Sequence, residues 1–363
     1  MTALERVWVC DTITGQRLNV IPMKDFPWAR CLNEGSTGRA TILVTDSTVK
    51  TVNLRNLIVE RTNTLVYEVG GKVVAAGVIM DTDYDKDAGT LTISHADIWK
   101  ILEGRLLIKH GAAAVKTEKL VYGPLSLGTI AKRVVQEAIA PGGWYDLQIL
   151  FPADVAGTET RSYFGYALQS TTDVLQEIME SDGGPDIELA PQWNIVTGNL
   201  EWVMRSVNNL TSSGVWEFNL DAPKPAASKV TAKSDTSRFS NNAYATGEGT
   251  EKNILLRSNP QPDHTRPADE SVTPFKGVKD AGVLGSLAVE RSRVLSVPTR
   301  QYAMSILKDG APAVIDLALG DTVRLISAAD PWLPTGTTSH RLIKFSGNLD
   351  GMEVKIEFQP TGA

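Results

Sequence analysis

Four aspartates at alternate positions, Asp81, Asp83, Asp85 and Asp87, are the first residues here whose type and spacing suggest chemistry, because alternating carboxylates in a loop can wrap a hard cation such as Ca2+. The EF-hand template is not met: Lys86 stands where that loop needs glycine, and Thr92 where its bidentate glutamate belongs. Between one strand expected to end at Met80 and another expected to begin at Gly89, the run is a solvated acidic hairpin tip. Ser47-Thr-Val-Lys50 and Ser305-Ile-Leu-Lys308 match Ser-x-x-Lys, in which the lysine activates a serine one helical turn away. The first lies in β-like surroundings, and neither comes with the companion Ser-Asp-Asn or Lys-Thr-Gly. Gly247-Glu-Gly249 lacks the third glycine and the following amphipathic helix of a dinucleotide fingerprint, and there is no Walker pattern. His95, His110, His264 and His340 are far apart, in no His-Glu-x-x-His or Cys-His arrangement; His95, four residues before Trp99 on an expected helix, is expected to pack or cap. No carboxylate pair is singled out for glycoside hydrolysis. The eight tryptophans are dispersed and are expected in the core or at interfaces. Cys10 and Cys31 are expected as reduced, core-packed thiols.

The elements that carry these residues belong to a chain of 363 residues with 36 Lys+Arg against 42 Asp+Glu, a formal net charge of −6. With 42% hydrophobic and 21% charged residues and no biased tract, it can bury a sizeable core, which excludes disorder over its whole length. At roughly 100–200 residues per domain, two to four domains are expected. Scattered basic residues in an acidic chain give no electrostatic footprint for gripping phosphates, so tight nucleic-acid binding is disfavoured. Met1 to Gly15 carries Glu5, Arg6 and Asp11 and has no basic-then-apolar leader pattern, so synthesis in the cytoplasm is expected. The longest apolar run, Val73 to Met80, is far shorter than the roughly 20 residues of a membrane span.

Strands are expected over Arg6 to Cys10, Gly38 to Val44, Leu57 to Val69, Lys72 to Met80 and Gly89 to Ile93, where Val and Thr dominate. Thr64 to Met80 is the clearest hairpin, with Gly70-Gly71 supplying positive φ at the turn. Then the period becomes helical: Ile98, Ile101, Leu102 and Leu106 share a face behind Ser94 as cap. A second helix is predicted over Ser126 to Ala140, striped by Leu127, Ile130, Val134 and Ala138 and stopped by Pro141-Gly142. A third starts at Ser170 or Thr171, carries Val174, Leu175, Ile178 and Met179, and halts at Gly183-Gly184-Pro185. Ile187 to Leu189, Trp193 to Val196 and Leu200 to Arg205, around Gly198-Asn199, predict a meander packed on the second and third helices. The Pro-, Ala-, Lys- and Ser-rich stretch Ala222 to Asn242 marks a crossing between domains, followed by a strand over Asn242 to Thr246. Arg257 to Thr273, polar, Pro-rich and without period, is expected to be a long exposed loop or mobile flap. Val314 to Leu319, Thr322 to Ile326, Arg341 to Ser346 and Glu353 to Phe358 return to β.

The order of these parts is more specific than any single motif. An opening strand with the turn Asp11-Thr-Ile-Thr-Gly15, then Leu32-Asn-Glu-Gly-Ser-Thr-Gly38, then the Tyr67 to Ile79 hairpin ending in Ala76-Gly77-Val-Ile, resembles the N-terminal module of siphophage tail-hub proteins, the minor tail proteins of actinobacterial phages. Ile98 to Leu107 with Glu103-Gly-Arg105, the helix before Gly183-Gly-Pro185, Ala243 to Gly249, and Gly320-Asp-Thr-Val-Arg-Leu325 follow in the order expected of that family. It is similar to the contractile-tail baseplate hub and to the N-terminal region of tail-associated lysins. The resemblance implies a mainly β, β-rich α+β multidomain fold with two β-barrel-like modules and smaller inserts. The expected modules are 1–110, N-terminal and barrel-like; 111–220, an α+β insert; 221–252 plus 310–363, the second barrel-like module; and 253–309, a small loop-rich insert.

It further implies a structural, non-enzymatic tail-tip hub: a homotrimer whose pseudo-sixfold ring adapts the sixfold tail to a threefold tip and surrounds or closes the DNA channel. Implied partners are the distal tail protein ring, the tape-measure protein C-terminus and other tail-tip or receptor-binding proteins, with phage DNA only in passing and no stable membrane insertion. The implied location is the tail tip of the virion. No catalytic, cofactor-binding or metal-binding residue is expected. Similar hubs carry a lytic or receptor-binding C-terminal extension; this chain ends at Ala363 after its last expected strand, so such activity is expected in a separate protein. Two other readings are a tail-associated cell-wall hydrolase and a distal tail or receptor-binding adaptor protein.

Overall fold

In the computed structural model, which describes residues 4–47, 49–181, 183–260, 266–275, 278, 281–328 and 330–360, the β patterning of the first hundred residues becomes a six-stranded antiparallel sheet. Its strands are β1 (Glu5–Asp11), β2 (Arg17–Val20), β4 (Thr37–Leu43), β5 (Asn63–Val69), β6 (Lys72–Asp85) and β7 (Thr90–Ala96), in the order β2-β1-β5-β6-β7-β4. The β5–β6 hairpin turns on Gly70 and Gly71 at φ +58° and +84°, the left-handed conformation glycine adopts without steric cost. Three expectations change here. The strand expected from Leu57 begins at Asn63, after a helical turn α1 (Leu54–Leu57), and β6 runs past Met80 to Asp85. Ser94 is no cap but lies inside β7, and it carries His95 with it onto a strand; α2 (Trp99–Glu103) is instead capped by Asp97, whose Oδ1 accepts from the Trp99 backbone N–H at 3.0 Å.

The two longer predicted helices form where expected, because each start is set locally. Ser126 Oγ accepts from the Thr129 N–H at 3.2 Å ahead of α3 (Leu127–Ile139), and Ser170 Oγ from the Asp173 N–H at 3.1 Å ahead of α4 (Thr171–Met179). Their apolar stripes meet the hairpin of β11 (Asp186–Trp193) and β12 (Leu200–Val207), to which β9 (Ile149–Leu150) adds in parallel. Ile130, Val134, Leu175, Ile178, Ile187, Trp202 and Met204 are buried together, in one cluster with Cys10, Val66 and Val78 of the six-stranded sheet. A two-stranded ribbon, β8 (Lys119–Leu125) with β10 (Glu159–Phe164), lies on this core through Leu120, Tyr122, Leu125 and Tyr163.

The other large sheet joins the two ends of the chain. Its order is β13 (Val215–Asn219), β19 (Thr322–Ser327), β20 (Gly336–Asn348), β21 (Glu353–Pro360), β18 (Thr299–Leu307), β14 (Ala227–Asp235), and β3 (Pro27–Cys31) pairs antiparallel with the C-terminal half of β20. Trp28 stands opposite Gly347, where a side chain would press into the indole. The strand expected over Val314 to Leu319 is a 3-10 turn, Val314–Asp316.

The chain divides into two compact units, Met1–Lys229 with Met304–Phe358, and Val230–Ala303 with Gln359–Ala363; the chain crosses between them within β14, β18 and β21. In the second unit, β15 (Asn242–Thr246) pairs antiparallel with β16 (Leu256–Pro260) and parallel with β17 (Glu270–Pro274), under α5 (Ala281–Leu295). Ala245, Leu284 and Ala288 are its buried centre. The expected loop Arg257 to Thr273 therefore starts and ends in strands, while residues 261–265, His264 among them, lie outside the described residues. The expected loop-rich insert contains the 15 residues of α5, whose helical period is blurred by Ser292 on the buried face and by the half-exposed Val289 and Val294 on the outer one.

His95 shows how tightly the first sheet is packed. Its imidazole stacks on Phe26 at 4.5 Å and 7°, and fills the space left by two glycines on the flanking strands, Gly38 and Gly77, where a Cβ would overlap the ring. Gly77→Ala is expected to destabilise the fold by about 1–3 kcal/mol. An unchanged urea midpoint would show that the slot has slack.

Candidate functional site

Buried ionic groups connect segments remote in sequence. Glu188 of β11, with 2% of its side chain exposed, accepts from Arg30 of β3 and from Arg205 of β12, whose Nε lies 2.7 Å away. Arg205 also donates to the Leu319 carbonyl at 2.9 Å, so one carboxylate ties two sheets and the approach to β19. Asp186, two residues earlier, binds Arg341 and accepts from Asn33 Nδ2 at 2.8 Å and the Leu210 N–H at 2.9 Å. Glu68 of β5 accepts from the indoles of Trp8 (3.2 Å) and Trp193 (2.9 Å), and the Arg17 guanidinium lies 3.7 Å from the Trp193 ring centre. Lys308 reaches Glu5 at 3.1 Å and the Leu349 carbonyl at 2.8 Å, while Tyr67 Oη donates to the same Glu5 at 2.5 Å. Burial drives the Tyr67 phenol far above its ordinary pKa, with the Glu5 hydrogen bond adding to the effect.

The residues singled out from the sequence are not brought together. Asp81, Asp83 and Asp85 lie on the exposed end of β6, and Asp85 Oδ1 caps its own turn by accepting from the Asp87 and Ala88 N–H groups at 2.9 and 2.8 Å. Ser47 and Lys50 flank an exposed turn, with Thr48 outside the described residues. Ser305 is buried in β18, and Lys308 spends its hydrogens on Glu5, Tyr67 and Leu349. Gly247 and Glu248 make backbone bonds to Leu255 and Val278. His110 leans on Tyr145 at 4.9 Å; His340 of β20 bonds Thr338 Oγ1 at 2.8 Å and meets Phe358 edge-on. Cys10 and Cys31 are both buried and free, and burial pushes each thiol up to about 12. Trp28, Trp99 and Trp202 are core; Trp8 and Trp193 serve Glu68; Trp216 donates to Asp321 at 2.9 Å; Trp144 and Trp332 face solvent.

What the sequence did not reveal is the set of stiff turns that push large apolar residues outward. Ile195 and Val196 are 99% and 87% exposed at the β11–β12 tip, held by Asn194 Oδ1 accepting from the Val196 and Thr197 N–H groups, both at 2.9 Å. Trp332, 83% exposed, follows Asp330, whose Oδ1 accepts from the Trp332 and Leu333 N–H groups at 2.7 and 2.8 Å. Side-chain caps that fix a turn lower the ordering cost of a contact made there. A shallow, open groove of about 780 Å3 lies on the seven-stranded sheet, lined by Trp28, Ala29, Gly347 and Met352 among others.

No protein-family model and no curated protein matches the chain. Solved structures do. A tail protein from Neisseria meningitidis MC58 superposes with a TM-score of 0.61 at 14% identity, covering 99% of this chain and 97% of that one. The 43 kDa tail protein of prophage MuSo2 from Shewanella oneidensis gives 0.62 at 12% identity, covering 98% of each chain. The chain has the fold of phage tail proteins. A third such fold, prophage tail protein gp18 from Listeria monocytogenes EGD-e, gives 0.51 at 9% identity over 98% of this chain and 95% of that one. The resemblance seen in the order of the parts is thus borne out in the tail-protein fold, as is the expected β-rich, multi-sheet architecture.

Two outcomes follow for the tail-protein scaffold. Glu188→Ala leaves two guanidinium groups without their buried carboxylate and is expected to cost about 3–5 kcal/mol, read from chemical denaturation; a loss below about 1 kcal/mol would mean the strut is dispensable. Burial lowers the pKa of His95 and of His340 from 6.5 to about 4, so both are neutral in the folded chain, and the stability tied to them falls as pH drops from 6.5 towards 4. Asp97 acts oppositely: burial raises its pKa from 3.8 to about 6 despite the Ser36 and Trp99 hydrogen bonds, so it contributes most at low pH and loses that contribution as pH rises through 6. Asp97→Asn is therefore expected to steepen the acid loss between pH 6 and 4, measured as urea midpoints; an unchanged slope would remove Asp97 from the balance.

Proposed function

We propose that the chain is a structural, non-enzymatic component of a phage tail, acting as the tail-tip hub. The observation that carries this reading is the superposition of nearly the whole chain on nearly the whole of two phage tail proteins. Glu188, Arg205, Glu5 and Lys308 are engaged in struts and Asp81, Asp83 and Asp85 are spread along an exposed strand, which suits a load-bearing role. In this reading three copies form a ring at the tip of the virion, meeting the sixfold distal tail ring on one side and a threefold tip on the other. The ring surrounds or closes the channel, contacts the tape-measure C-terminus and receptor-binding proteins, and lets DNA pass without gripping it, as the net charge of −6 favours. The modules 1–110, 111–220, 221–252 plus 310–363, and 253–309 are proposed as its working parts.

Electron-microscopy projection averages of the purified protein mixed with lysate from tail-producing cells test this. A threefold ring with a central hole or plug is expected. A sixfold ring would move the protein to the distal tail layer, and compact monomers alone would overturn the hub reading and direct attention to cell-wall hydrolysis.

A further inference from the structure

We propose that the β8–β10 ribbon is the seat for a second copy of this chain, which docks there through the acidic, overhanging end of its β6. The proposal rests on the ring reading above and names the contact that would close it.

The ribbon has two open edges: among the described residues β8 and β10 pair only with each other. Open edges are templates for pairing, and a two-stranded ribbon gains by acquiring a third strand. Its inner face is committed to the core, but its outer side carries Val121, Phe164, Tyr166 and Leu168, which are 56%, 41%, 62% and 55% exposed. Phe164 and Tyr166 are stacked at 5.3 Å, and Leu168 is held in the left-handed region at φ +46°, an unfavourable conformation for a branched residue that here keeps a leucine in solvent. Lys116 and Lys119 have no carboxylate partner among the described residues; Lys119 Nζ lies 5.1 Å from the Phe164 ring centre. An open strand edge with uncompensated cations calls for a partner that is extended and acidic.

The same chain has that partner elsewhere. β6 is covered by β5 only as far as the Thr64–Val78 pairing and the Arg61 N–H to Ile79 carbonyl bond; from Asp81 to Asp85 no described strand pairs on that side. Residues of a strand alternate between faces, so Asp81, Asp83 and Asp85 line one face and Tyr84, 57% exposed, occupies the other. Pairing this overhang with the outer edge of β8 sets the carboxylate face against Lys119 and towards Lys116 in the turn just before β8, and leaves Tyr84 on the opposite face, beside Leu120 and Tyr122. Because the two surfaces differ, each copy gives its overhang to one neighbour and its ribbon to the other, the heterologous contact from which rings are built.

Sedimentation velocity of the full chain at low salt, repeated across protein and salt concentrations, tests the contact. Lys116→Glu with Lys119→Glu, or Asp81→Lys with Asp83→Lys, is expected to raise the concentration for half-assembly roughly tenfold, as two weakened charge pairs would. The chain carrying all four substitutions is expected to recover assembly, and all are expected to melt as the unmodified chain does because the positions are exposed. Assembly indifferent to either pair, or a loss that the four-substitution chain fails to recover, would overturn the contact while leaving the ring reading in place. An unmodified chain that stays monomeric throughout would likewise overturn the contact, while the ring reading is judged by the mixture with tail lysate.

Discussion

A carboxylate almost without access to water sets the geometry of the first unit. Glu188 is stable there only because Arg30 and Arg205 approach it from different strands, since an isolated charge at that depth would cost far more than the fold has to spare. Each arginine belongs to a separate element, and Arg205 also holds the Leu319 carbonyl, so the α3–α4 layer, the strand β3 and the approach to β19 are fixed together. Apolar packing would hold these layers against one another but, being non-directional, would allow them to slip; hydrogen-bonded charge selects one register.

Around that fixed point the unit separates rigidity from contact. The struts at Glu188, Asp186, Glu68 and Lys308 are internal, whereas the Ile195-Val196 tip and Trp332 stand in solvent on turns stiffened by their own side-chain caps. In this arrangement apolar contacts at the tips can be made and broken without disturbing the ionic frame. The small core of the second unit, centred on Ala245, Leu284 and Ala288, is a slighter construction in which fewer large side chains are buried.

Where the sequence was informative, the cause was local. Ser126 and Ser170 cap the helices they precede, and Gly70-Gly71 turns the hairpin, because those effects act over three or four residues. Ser94 misled, since a serine ahead of an apolar stripe carries the same signal whether it caps a helix or lies in a strand, and Asp97 took the role. The α5 helix was hard to see because a serine, Ser292, sits on its buried face while Val289 and Val294 face outward, which blurs the apolar period. The struts were illegible for a different reason: nothing near Glu188 in sequence identifies Arg30 as its partner, and exposure of Ile195 is a property of the folded surface. The order of the parts carried what single motifs did not, and it led to the phage tail fold.

The pairing of β3 with β20 has a consequence for how the protein is made. Phe26 N–H bonds Asn348 Oδ1 across 322 positions of chain, at the margin of a pairing that sets Trp28 beside Gly347. At the roughly 5–20 residues per second of translation, β3 must wait on the order of tens of seconds at the ribosome before its partner strand exists. Until then the edge of β3 and the Trp28 indole have no seat, so the seven-stranded sheet is completed only by finished chains. A product cut short before β20 leaves β3 and the Trp28 indole without their partner strand.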